Sequence, residues 1–139
     1  MKVKYIIISI MTLMILYYIV FEYPWVKPSI NNIVGIWEND RGESIEIGND
    51  GRVNVCVEDP FFFVSDVNDR DFLRKIEGSK YEFDGIWRLV KEEDGTYSLR
   101  IRWFAPLGCL FLDVISHGTH MYLRYSVDAM EHDFCKIEK

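Results

Sequence analysis

Between residues 33 and 139 apolar side chains recur at every second position. Ile45 and Ile47 alternate with Ser44 and Glu46, and Val53, Val55 and Val57 with Arg52, Asn54 and Cys56. Tyr97, Leu99, Ile101 and Trp103 alternate with Ser98, Arg100 and Arg102, and Met121, Leu123 and Tyr125 with Tyr122 and Arg124. A period of two marks strands with one buried and one wet face. The runs are broken by Asp40-Arg41-Gly42, Asn49-Asp50-Gly51, Asp94-Gly95 and His117-Gly118. These residue types tolerate the positive φ that tight hairpins need. The pattern predicts strands over 33–38, 43–47, 52–57, 81–91, 96–104, 109–115, 120–126 and 133–137. Such a meander leaves two bare edges unless its first strand closes onto its last. The expectation is therefore all-β: an antiparallel up-and-down barrel of about eight strands.

Residues 58–80 depart from this period. Pro60 ends a strand, and Phe61-Phe62-Phe63-Val64 follows as four large apolar residues in a row. Ser65 or Asp66 is placed to cap a short helix carrying Phe72, Leu73 and Ile76 along one stripe. An insertion of this length among tight turns usually closes or lines one mouth of a barrel. A plug for one end of the core and a docking edge both fit it. On the docking reading Phe61, Phe62, Phe63 and Phe72 are apolar anchors, rimmed by Asp66, Asp69 and Asp71.

The N-terminus follows another rule. Residues 5–21 form an apolar run without charge, preceded by Lys2 and Lys4 and followed by Glu22. Its 17 residues at about 1.5 Å each reach roughly 26 Å, close to a bilayer core once neighbouring residues contribute. Tyr17, Tyr18, Tyr23 and Trp25 cluster at its far end, where amphipathic rings favour the headgroup layer. The lysines keep the N-terminus cytoplasmic by the positive-inside bias, so the later residues are expected in the periplasm or outside the cell. A cleaved signal peptide is the rival reading, but the run ends in bulky residues where a peptidase wants small ones. The organisation expected is an N-tail and transmembrane anchor at 1–24, a tether at 25–32 and one domain at 33–139.

Charge narrows the partners. Setting aside Lys2, Lys4, Lys27 and Glu22 from the 16 basic and 22 acidic residues leaves 13 and 21, a net of −8 beyond the anchor. That balance disfavours nucleic acid and anionic lipid and suits a basic protein partner. Cys56, Cys109 and Cys135 allow one disulfide and a leftover thiol, or none.

Gly-Ile-Trp occurs twice, at residues 35–37 and 85–87, each time opening a strand. With the Asp50-Gly51 turn between them, these elements resemble the small bacterial lipocalin-like domains, over roughly residues 33–139. The resemblance implies a calycin-type barrel in which Gly35, Trp37, Gly85 and Trp87 shape a closed end. It also implies a basic residue from near the C-terminus above the first Trp, either Arg124 or Lys136. The chain is shorter than lipocalins proper, carries the 58–80 insertion and has no clear C-terminal helix. Lipocalin-like domains bind apolar small molecules or proteins, so the resemblance speaks to fold more than function.

Catalytic and metal chemistry find little support. His117 and His120 bracket a turn, and with His132 they match no zinc spacing. The stretch from Asp66 to Glu77 imitates a calcium loop but has Arg70 and Asp71 where an acceptor and a glycine are needed. Carboxylate pairs fall in turns, and no nucleophile elbow or phosphate loop is present. The expectation is a non-enzymatic module without cofactor, anchored in the cytoplasmic membrane by residues 5–21. Its partner is a protein, in the manner of an immunity or inhibitor protein; the alternative is a small apolar ligand carried inside the barrel.

Overall fold

The computed structural model describes residues 2–23, 25–58, 74–76, 80–103, 109–127 and 130–137. It divides into two compact units, Met1–Lys27 with Ser116–Met121, and Pro28–Ile115 with Tyr122–Lys139.

In the first unit, helix α1 (Lys2–Tyr17) continues into a π-helical turn, Tyr18–Glu22. The 21 residues Lys2–Glu22 make a helix long and apolar enough to cross a membrane. None of its side chains is buried. The Thr12 hydroxyl donates to the Ile8 carbonyl at 2.8 Å, so that polar side chain is satisfied within the helix.

In the second unit the expected tether is partly folded. Helix α2 (Ile30–Ile33) is capped because Asn32 Oδ1 accepts from the Ser29 amide at 2.7 Å and from its hydroxyl at 3.0 Å. The strands are β1 (Gly35–Glu38), β2 (Ser44–Ile47), β3 (Arg52–Val57), β4 (Arg74–Lys75), β5 (Tyr81–Lys91), β6 (Tyr97–Trp103), β7 (Cys109–His117), β8 (His120–Val127) and β9 (Met130–Lys136). Their order, β3-β2-β1-β9-β8-β7-β6-β5, closes through β3–β5 into the expected eight-stranded antiparallel barrel. Closure uses two seams. β1 meets β9 at Trp37↔Lys136 and Glu38↔Cys135, and β3 meets β5 over six pairs from Arg52↔Ile86 to Val57↔Tyr81.

The alternation read from sequence sets what lies inside. Trp37, Ile45, Val55, Phe83, Leu99, Ile101, Leu112, Leu123 and Phe134 are fully buried. Burying one such side chain contributes about 1.5–3 kcal/mol, so the inner face dominates the domain's stability. Trp87, Tyr97 and Tyr125 are half-buried. Among the described residues one charged side chain is buried as well. Glu43 accepts from Asn39 Nδ2 at 2.9 Å and from the Glu58 amide at 3.0 Å, which answers its desolvation cost.

The insertion departs from expectation where it is described. Arg74–Lys75 pairs with β5 as the short strand β4, and the Ile76 amide donates to the Lys80 carbonyl at 3.0 Å. Ile76 therefore sits in a strand connection, not on the helical stripe with Phe72 and Leu73. The remainder of that predicted helix lies outside the described residues.

Candidate functional site

The repeated Gly-Ile-Trp tripeptides meet in one cross-strand row. Gly35 faces Ile47, Ile47 faces Val53, and Val53 faces Gly85. Because β1 and β5 run oppositely across this ladder, the two tryptophans diverge from the row instead of sharing one barrel end. Trp37 enters the buried row with Ile45, Val55 and Phe83. Its indole Nε1 donates to the Ile33 carbonyl at 2.8 Å. Trp87 lies past the end of β3, its amide donating to Gly51 O at 3.0 Å and its indole to Gly48 O at 2.8 Å. One indole fills the interior and the other pins the β2–β3 turn.

The basic residue above the first tryptophan is Lys136. Its Nζ lies 6.0 Å from the Trp37 ring centroid and donates to the Asn32 carbonyl at 3.0 Å. Arg124, the other residue considered for that place, is held elsewhere. Its Nε donates to Asp133 Oδ1 at 2.8 Å, Glu131 lies 3.4 Å from Nη1, and its guanidinium sits 5.2 Å from the Tyr122 ring centroid. The Asp133 carboxylate holds the Arg124 pKa above its ordinary value.

The docking residues expected from sequence, Phe61, Phe62, Phe63, Phe72, Asp66, Asp69 and Asp71, lie outside the described residues. Two other features stand on the outer wall of the barrel. The first is acidic: Glu46, Asn54 and Asp84 form one cross-strand row, with Asn54 Nδ2 donating to Asp84 Oδ1 at 2.8 Å. With Asp50, Arg52 and Val53 they line a concavity of about 560 Å³ at the β2–β3 turn.

The second feature has the opposite sign and begins one row further along β5. Arg52, Ile86, Arg102 and Cys109 share a row, and Arg88, Arg100 and Phe111 share the next. Ile86 is 45% and Phe111 55% exposed. The Arg100 guanidinium lies 5.5 Å from the Phe111 ring centroid and 3.1 Å from Glu92. This cluster was missed from sequence because Arg88 meets Arg100 only through register. Folding the chain about the Asp94-Gly95 turn reveals it.

No cysteine is paired. Cys56 is half-buried, and Cys109 and Cys135 are exposed. Burial pushes the Cys56 thiol above its ordinary pKa, opposed by the charge of Lys80. Among the described residues no group of three or more His, Cys, Asp or Glu side chains is arranged to hold a metal ion. The chain matches no family model, no curated protein and no solved structure.

Proposed function

We propose that this chain is a non-catalytic, membrane-anchored binding module whose barrel stands outside the cytoplasm and engages a protein partner on its outer surface, in the manner of an immunity or inhibitor protein. The observation that carries this reading is the filled interior. Trp37, Phe83, Phe134, Leu99, Ile101 and Leu112 are fully buried on the inner wall. Small eight-stranded barrels whose inward residues are this large have their space taken by side chains, not by ligand. Recognition then falls to the outer wall and to the Phe61–Phe63 stretch. The acidic row Glu46 and Asp84, with the domain's net negative charge, favours a basic surface on the partner.

The lipocalin-like character of the barrel belongs to the same proposal. It is supported by the paired Gly-Ile-Trp tripeptides and by Lys136 over Trp37. Orientation follows from Lys2 and Lys4 ahead of the helix, which favour a cytoplasmic N-terminus.

The test is affinity capture of the full-length chain from detergent-solubilised membranes, with mass spectrometry of both co-purifying proteins and extracted small molecules. One protein recovered in stoichiometric amount, and lost with Phe62→Asp/Phe63→Asp or with reversal of Glu46 and Asp84, is the expected result. A defined apolar molecule recovered without protein would overturn the proposal in favour of a carrier.

A further inference from the structure

We infer that the outer face of β5, β6 and β7 around Arg88, Arg100 and Arg102 docks an acidic, extended segment of a partner protein. This deepens the protein-binding reading above and rests on it.

The argument starts from register. Arg88 stands directly opposite Arg100, and Arg102 is two residues further along β6, on the same outward face. Like charges set directly opposite each other on a sheet are destabilising. In a domain with 21 acidic and 13 basic residues beyond its anchor, such a cluster is not what composition alone would place there. Glu92 neutralises Arg100 at 3.1 Å, whereas Arg88 and Arg102 have no ion pair among the described residues. Two guanidinium groups on this face are therefore left to solvent, open to an acidic group from a partner.

The apolar neighbours make the cluster more than a charged stripe. Ile86 pairs with Arg102 and Phe111 with Arg100, and both apolar side chains are about half exposed beside the guanidiniums. Phe111 also supports Arg100 from beneath through the ring contact, so the guanidinium is presented and not left free to wander. Arginine beside an exposed aromatic ring is the composition that dominates binding energy at protein interfaces. Between Ile86, Trp87, Arg88, Arg100 and Arg102 lies a concavity of about 170 Å³, room for a single side chain.

Geometry selects an extended occupant. Outward residues repeat every second position along β5 and β6, roughly 6.5–7 Å apart, which is the pitch of same-side residues in any extended chain. Acidic residues at alternate positions would face successive arginines, with a large apolar residue seated between Ile86 and Phe111. β6 is hydrogen-bonded to β5 on one side and β7 on the other, so the contact is made by side chains across the face, not by adding a strand.

The test uses the full-length chain in nanodiscs of zwitterionic lipid and a displayed library of random short peptides. The expected selection is enriched in Asp and Glu at alternate positions with one large apolar residue. A synthetic copy should bind less tightly as salt is raised, and should lose about tenfold or more in affinity with Arg88→Glu/Arg102→Glu, charges at a rim being cheap to fold but costly to reverse. Arg88→Gln/Arg102→Gln should lose less, and an unchanged near-ultraviolet circular dichroism spectrum separates lost binding from lost fold. Enrichment of basic or neutral peptides, or acidic peptides whose binding ignores the Arg88 and Arg102 variants, overturns this site and leaves the protein-binding reading standing. Selection of nothing above the naive library overturns this site, while the membrane capture described above decides the protein-binding reading separately. Capture by phosphatidylglycerol vesicles without peptide enrichment overturns the site in favour of a lipid headgroup.

Discussion

Replacing Gly85 with alanine would set a methyl carbon 2.6 Å from the Arg102 carbonyl oxygen and 3.2 Å from its carbonyl carbon. The obstacle is backbone, so no side chain can swing aside. Nor can β5 retreat freely, because Gly85 pairs with Val53 on one side and Trp103 on the other. Alanine in a strand ordinarily gains about 0.5–1 kcal/mol over glycine through the unfolded chain. Overpacking a tight site costs about 1–3 kcal/mol. The net expectation is a loss of roughly 1–2 kcal/mol, or about 5–10 °C in Tm for a domain of this size. Thermal unfolding of the full-length chain in detergent, followed by near-ultraviolet circular dichroism, reads this directly. A Tm equal to or above wild type would mean that the ladder yields without cost, and the crowding argument would be wrong. Gly35 provides the contrast. A methyl group there meets only the flexible end of Lys136 at 2.6 Å, but its φ of +142° is one that side chains resist. Gly35→Ala should therefore destabilise too, and Lys136→Ala should not rescue it.

Trp37→Phe strands the buried Ile33 carbonyl and should cost about 1–3 kcal/mol, whereas Trp87→Phe, at a half-buried site where water can replace the indole at Gly48, should cost about 0.5–1.5 kcal/mol; urea denaturation compares the two. The thiols should separate by rate. Cys109 and Cys135 are exposed and should alkylate well before Cys56, whose burial keeps it protonated, as mass spectrometry of timed iodoacetamide reactions will show; simultaneous modification would contradict the burial argument. The Thr96 hydroxyl and amide hold the Asp94 carboxyl below its ordinary pKa in the β5–β6 turn. Its contribution should be intact above the unfolded carboxylate pKa and lost as pH falls through the lower folded one. Carbon-detected NMR titration measures that midpoint, and an ordinary value would remove the turn hydrogen bonds from the account.

The barrel was legible in the sequence because a half-buried antiparallel strand writes its two faces into alternate residues, and Asp50-Gly51 and Asp94-Gly95 mark where it reverses. Closure of the first strand onto the last was legible as an edge argument, and the meander already set residues 52–57 beside 81–91 across the insertion; the register of that β3–β5 pairing was not legible. Residues 52–57 carry nothing that names Tyr81 as the partner of Val57; that choice is made by packing across the barrel. The twin tripeptides were visible, but their common row was not, since it needs three registers at once. Sequence offered Arg124 or Lys136 above Trp37 and favoured Arg124, whereas Lys136 takes that place. The carboxylates of Asp133 and Glu131 decide between them by holding Arg124 outside. The arginine cluster stayed hidden behind a net negative charge, which averages over faces that a partner meets separately.

The narrow seam between β1 and β9 has a consequence in time. It joins the two ends of the domain, with Lys136 and Asn32 in contact across 104 residues of sequence. A contact that distant carries the largest loop-closure entropy in the domain and forms late. Until β9 arrives, β1 and β8 each present an unpaired edge that another chain can join. A chain cut short before Met130 would thus have seven of its eight barrel strands and still be hazardous. Any partner or chaperone that holds the nascent domain has its natural target at those two waiting edges, which vanish once the final strand is in place.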